Sequence, residues 1–295
     1  MQKNLAFQDY IVFFIYFFVV AGYGYWVYRR KQQTETSSND FFLAEGSLTW
    51  WAIGASLIAS NISAEQFIGM SGNGFNIGLA IATYEWMAAA TLIVVAVFFM
   101  PIYLKNRIFT MPQFLTQRYN DTVAMIMAIF WLFLYVLVNL TSILFLGASA
   151  VSTISGLNFS VCMVLLGVFA VIITIGGMKV IGFTDVIQVF FLILGGLATT
   201  YLAVNMISER FGGNGLADGF NLMLSKSADH FQMILKKENP NYSQLPGLTV
   251  LIGGMWIVNL NYWGCNQYIT QRALGADLKT ARSGILFAAF LKLLM

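Results

Sequence analysis

Runs of about twenty apolar residues recur along this chain, and that recurrence constrains its fold more than any other feature. A helix rises 1.5 Å per residue, so about twenty residues cover roughly 30 Å of hydrocarbon. Seven such runs are legible: Asp9 to Tyr28, Leu48 to Gly69, Ile77 to Leu104, Val123 to Ile154, Phe159 to Ile175, Val180 to Ile207, and Leu248 to about Thr270. An eighth starts near Thr280 and is still apolar at Met295, so the chain reads as a piece of something longer. The first run is too long for a signal-peptide core and is expected to be retained.

Composition agrees. Hydrophobic residues make up 58% of the 295 and charged residues 10%, against about 25% charged in soluble domains. Too few charges are present to coat a soluble body of this size, and a thinly spread net charge of +3 is no basic patch for nucleic acid. Cys162 and Cys265 both lie in apolar stretches, with no disulfide framework or metal-ligand cluster around them. The lone histidine, His230, falls in a loop. No nucleophile–base pair is visible, so an enzyme is the weakest class. The expectation is a single multi-pass domain over residues 1–295, in a plasma or bacterial inner membrane, with the bilayer as its solvent. Whether it self-associates stays open.

Lys and Arg in short loops set orientation. Arg29, Arg30 and Lys31 follow the first run, Lys105, Arg107 and Arg118 the third, Lys179 the fifth, and Arg272, Lys279 and Arg282 the seventh. Those are alternate loops, which puts all ten in the cytoplasm and the N-terminus outside. The polar loop at 208–247 is then external.

Several polar groups break the apolar runs. Glu65, Glu85, Asp185 and Lys292 sit within or at the edge of them, and four unpaired charges would cost on the order of 10 kcal/mol. They are expected to face a wet cavity or one another. The second run is polar at its centre, where Ala59, Ser60, Asn61, Ser63 and Ala64 interrupt it. A helix broken at mid-membrane exposes carbonyls and half-helix ends, which is how secondary transporters hold substrate and Na+. The bland alternative is small-residue packing, but Glu65 and Gln66 are not needed for that. Glu85 stands between Tyr84 and Trp86, Asn259 and Asn261 stand beside Tyr262 and Trp263, and Lys292 stands alone among apolar residues. Carboxylate, amide and ammonium groups suit the hydroxyls of a neutral polyol, and an aromatic face suits its C–H side. Lys292 lies about 18 Å past the preceding loop, too deep to snorkel easily. Asp185 reads about equally as a helix-start acid or as a coupling group. Tyr135 and Asn139, four apart on one face, read as an exit-path lining or as a bond to a neighbouring helix, the second being favoured.

These residues, in this order, resemble the sodium/solute symporter family. The resemblance is carried by Phe41-Phe42-Leu43-Ala44, the Ala59 to Met70 stretch, Tyr84-Glu85, Gly176-Gly177 with Thr184-Asp185 and Gln188, Asn259 to Gly264 with Asn266 to Ile269, and Phe290-Leu-Lys292-Leu. It covers nearly all of the chain and about the first half of the family's length. It implies an all-α, LeuT-like inverted-repeat transporter: an extra helix at about 9–28, a first five-helix repeat over 48–207, an external loop at 208–247, and two helices of the second repeat from 248 to 295. It also implies Na+-coupled sugar uptake. By position, Gln66, Glu85, Asn259 and Lys292 look like sugar-binding groups, with Glu65 close by. Tyr262 looks like the aromatic that closes over the sugar on the inner side. Met70 and Tyr84 look like outer-gate residues. The carbonyls of Ala59 and Ile62 look like half of the Na+ site, and Asp185 like an acid on the Na+ exit route. Where the family's galactose carriers have a serine one turn after the glutamate, this chain has Ala88, so a related hexose or polyol stays open. Inositol, sialic acid or an amino acid are other solutes within the family, and a transporter-like sensor domain is a rival class.

Overall fold

A computed structural model describes residues 6–31, 47–175, 177–245 and 247–294. The Phe41 to Ala44 stretch and Gly176 lie outside the described residues. Among the described residues there is helix and no strand. The first helix, α1, spans Phe7–Lys31. Next come α2 at Trp50–Asn61 and, beyond a break, a π-helical turn at Gln66–Met70 leading into α3 at Ser71–Ile77. Then follow α4 at Leu79–Lys105, the short α5 at Met111–Arg118, α6 at Asp121–Ser155, α7 at Phe159–Ile175 and α8 at Gly177–Arg210. The chain ends with α9 at Gly215–Lys226, α10 at Gly247–Ile252, α11 at Gly254–Leu260, α12 at Gln267–Leu274 and α13 at Leu278–Leu294.

Four of these helices (α1, α4, α6 and α8) are long and apolar enough to cross a bilayer without interruption, and α7 is a shorter apolar helix. The second and seventh runs of the sequence do not appear as unbroken helices because each is cut inside the apolar stretch. The second is cut once, at Ile62 and Ser63. The seventh is cut at Gly253 (φ −101°, ψ −101°) and again at Asn266 (φ −85°, ψ 122°), which the sequence reading did not anticipate. Twelve residues of α2 rise only about 18 Å, roughly half a bilayer plus its interface.

α2 sits at the centre, with α13 on one side and α8 on the other. Ala52, Ile53, Ala55 and Ile58 from α2 pack into one core with Leu92 from α4 and Ile285 and Ala288 from α13. α2 and α13 cross at Gly54 and Gly284. A Cβ at 54 would lie 2.7 Å from the Gly284 carbonyl oxygen, and one at 284 would lie 2.7 Å from Ile53. The backbones therefore touch, and only hydrogen fits between them. Apolar side chains such as Phe13 on α1, Leu132 and Leu137 on α6 and Val164 on α7 face outward, as they do where lipid is the solvent.

The loops sort onto two ends. At one end Gln267 accepts a hydrogen bond from the Met111 N–H at 2.7 Å, and Trp50 packs edge-on to Phe287. This end gathers Lys105, Arg107, Lys279 and Arg282, members of the alternate loops read above as cytoplasmic. At the other end the 227–245 segment seats on the α3–α4 junction. Asn241 donates to the Asn76 carbonyl at 2.9 Å. Gly78, at φ +84°, has the His230 carbonyl where a Cβ would stand, 2.3 Å away. Any other residue there would be both strained and excluded.

Candidate functional site

The break in the second run starts with backbone arithmetic. The last carbonyls of a helix have no helical partner. At Ile62 the chain turns extended (φ −80°, ψ 104°), while its N–H still closes on Ile58. The Ser63 N–H then donates to the Gln66 side-chain oxygen at 2.9 Å rather than closing back on Ala59, and the Ser63 hydroxyl donates to the same oxygen at 3.1 Å. Gln66 thus staples the break. Ala59 and Ile62 fall on this break.

Next to the break, Lys292 of α13 reaches Glu85 of α4 in a direct ion pair. Lys292 lies fourteen residues after Leu278, the start of α13, which at 1.5 Å each is about 21 Å. Its side chain is 1% exposed and that of Glu85 18%. The ammonium also stands 5.7 Å from the centre of the Trp263 ring, a cation–π distance. The sequence reading found no arginine for Glu85 within any run. Its partner is the lysine, contributed from more than two hundred residues away.

Pair and break share one cavity of about 310 Å³, lined on this side by Ile62, Gln66, Met70, Glu85 and Lys292. That is at the small end of the range for ligand pockets, about 300–1,000 Å³. The Gln66 oxygen is engaged on Ser63, so a ligand entering the cavity would meet its amide nitrogen.

The other expected site residues do not line this hollow. Asn259 is buried on α11 and its amide donates to the Met255 carbonyl at 3.0 Å. Tyr262, in the turn after α11, accepts from the Asn61 amide at 3.1 Å and from the Tyr268 hydroxyl at 3.0 Å. Glu65 turns away to accept from Ser142 of α6. Tyr84 is 40% exposed beside Glu85 on α4. Asp185 does not cap a helix start, because α8 already begins at Gly177. It is buried, accepts from Ser56 of α2 at 2.5 Å, and lies 3.9 Å from the Arg272 guanidinium. Tyr135 bonds a neighbouring segment, its hydroxyl donating to Asn266 at 2.7 Å.

Sequence reading missed two features. Arg272, counted among the loop cations, is buried on α12. Its Nε donates to the Ser56 hydroxyl at 2.7 Å, and its Nη1 to the Tyr268 carbonyl. Ser56, Asp185 and Arg272 thus tie α2, α8 and α12 together. Asn61 was read only as a helix breaker, yet it bonds Tyr262, and its side-chain oxygen is buried without a partner among the described residues. An amide inside an otherwise small and hydroxylic break was the available signal for Asn61. No local signal marks Arg272, because its partners lie 87 and 216 positions upstream.

Comparison with known proteins finds relatives for nearly the whole chain. A model described as the sodium:solute symporter family matches residues 41–295. The sodium/glucose cotransporter of Vibrio parahaemolyticus is 52% identical over 297 residues, covering 100% of this chain and 54% of that protein. Human sodium/myo-inositol cotransporter 2 is 32% identical over 305 residues, covering 99% of this chain and 44% of that protein. The chain therefore spans about half the length of the curated relatives it matches. A solved structure described as the substrate-bound outward-open state of a Na+-coupled sialic acid symporter superposes with a TM-score of 0.82 at 22% identity, over 98% of this chain and 58% of that one. The two share a fold.

Proposed function

The chain belongs to the sodium:solute symporter family, and from that premise we propose that it carries a neutral polyhydroxylated solute, a hexose or a close polyol, inward with Na+. The observation that carries this reading is the Lys292–Glu85 pair on the wall of a cavity whose neighbouring wall is a broken helix. A sugar hydroxyl can both donate to Glu85 and accept from Lys292, so it can enter between them without leaving either charge bare. Gln66 offers a further donor. Asn259 on α11 and Tyr262 in the turn after it are assigned to the solute as well, with Tyr262 closing from the inner side. Met70 and Tyr84 take the outer side. Glu65, engaged by Ser142 of α6, is left out of the solute contacts.

Na+ is assigned to the carbonyls released at Ala59 and Ile62. Bound there, it fixes the break and so preorganises Gln66, a coupling free energy between two sites. Asp185 is the acid on the inner route, with Arg272 as its countercharge. One charge crossing 100 mV supplies about 2.3 kcal/mol. At about 1.4 kcal/mol per tenfold, that supports roughly 50-fold accumulation before the chemical gradient is added. The N-terminus is assigned to the outside by the loop cations. The inositol relative keeps a cyclic polyol beside hexoses as the solute.

Uptake of labelled glucose, galactose and myo-inositol by cells expressing the protein from its native gene tests this, with Na+ and with choline in its place. Accumulation of at least one of them only in Na+ is the expected result. Equal uptake in both media, or none of any polyol, would refute the reading.

A further inference from the structure

The polar wall of the cavity holds Gln66, Glu85 and Lys292, and the opposite wall is one face of α8: Leu192, Ile193, Gly196, Leu197 and Thr200. None of these was marked by the sequence. Two adjacent pairs of identical residues occur here, Gly195-Gly196 and Thr199-Thr200, and only the second member of each lines the cavity. A Cβ meets no atom within 4 Å at either Gly195 or Gly196, so what separates the two is that Gly196 alone lines the cavity. The two threonines also differ. Thr199 donates its hydroxyl to the Gly195 carbonyl at 2.8 Å, the usual recourse of a helical threonine. Thr200 makes no such bond among the described residues. Its hydroxyl is the polar group on an otherwise apolar wall.

We infer that α8 is the second wall of the solute site, with Gly196 setting its width and Thr200 presenting a hydroxyl to the far edge of the polyol. This rests on the transport reading above and adds to it a size limit that the residues of the polar wall do not impose. A polyhydroxylated ring has an apolar C–H face and polar rims. Ile193 and Leu197 suit the face, Thr200 suits a rim, and the absent side chain at 196 leaves the thickness of the ring. One extra carbon in a fitted pocket changes discrimination by about 10–200-fold.

The neighbouring twins supply matched controls, because each pair has the same helix propensity and the same sequence context. Na+-dependent uptake of a hexose and of a smaller polyol, erythritol, is compared in Gly196→Ala, Gly196→Val, Gly195→Val, Thr200→Val and Thr199→Val, each normalised to protein in the membrane. Expected is a graded loss of hexose uptake from Ala to Val at 196, at least about tenfold for Val, with erythritol affected less. Gly195→Val should retain uptake. Thr200→Val should raise the half-saturating hexose concentration with little change in maximal rate, and Thr199→Val should not. If the 195 and 196 variants behave alike while wild-type protein transports, the wall assignment is wrong and the transport reading survives. If wild-type protein moves no polyol in response to Na+, both fall together.

Discussion

Lys292 carries a charge into an apolar helix bundle. An ammonium deep among apolar helices is tolerated because Glu85 is in direct contact and Trp263 stands under it. Removing one member of a buried pair leaves the other charge uncompensated and costs about 3–5 kcal/mol, whereas replacing both by apolar groups is often neutral. Lys292→Met should therefore lower the thermal unfolding midpoint in detergent, and adding Glu85→Leu should restore most of it. A double variant as unstable as the single one would mean that the pair does not stand alone. Neither variant should transport, which separates the proposed role of the pair in solute binding from its role in stability. At this scale the sequence was informative wherever chemistry clashed with surroundings, as at Glu85 and Lys292. It was silent where a residue looked ordinary in its own segment. Arg272 passed for a loop cation, and Gly196 and Thr200 for common helix residues, because burial and cavity lining are set by partners that no local window contains.

Among the elements, the α2–α13 crossing makes the Lys292–Glu85 contact possible, since it sets how close Lys292 comes to the break. Gly284→Val would drive a side chain into Ile53 and the Trp50 carbonyl, 2.7 Å and 2.9 Å from the first added carbon. Overpacking typically costs about 1–3 kcal/mol. The variant should fold less stably and lose the buried pair, which trypsin sensitivity of purified protein would reveal. Wild-type resistance in Gly284→Val would contradict the close crossing. The start of α13 is fixed by Asp277. The Thr280 hydroxyl and backbone N–H and the Lys279 N–H donate to it and hold its carboxyl below the ordinary 3.8. A lowered folded value means that this support is complete above 3.8 and fades as pH falls through the lower folded value. Hydrogen exchange at residues 279–281 should accelerate in that acid range, and Asp277→Asn should flatten the response. The break after Asn61 was legible because small and polar residues interrupt an apolar run. The breaks at Gly253 and Asn266 were not, because each is a single residue in a stretch that otherwise reads as continuous span.

The whole molecule is a multi-pass membrane body with its loops gathered at two ends. Class was readable from run length, and the alternation of Lys and Arg gives sidedness as an expectation. Which helices pack together was not, since lipid-facing and helix-facing surfaces are equally apolar. Orientation is testable directly. Glu238→Cys should react with a membrane-impermeant maleimide added to intact cells, and Lys279→Cys only after permeabilisation; the reverse pattern would invert the assignment. The central claim is that charged and amide groups inside the bilayer line one hollow shared by a polyol and Na+. Its most direct test is equilibrium binding of a labelled hexose to protein in liposomes, in Na+ and in K+, for wild type and Glu85→Gln. Tight binding in Na+, weakened in K+ and lost in Glu85→Gln, is the predicted result. Binding indifferent to both the cation and the carboxylate would contradict it.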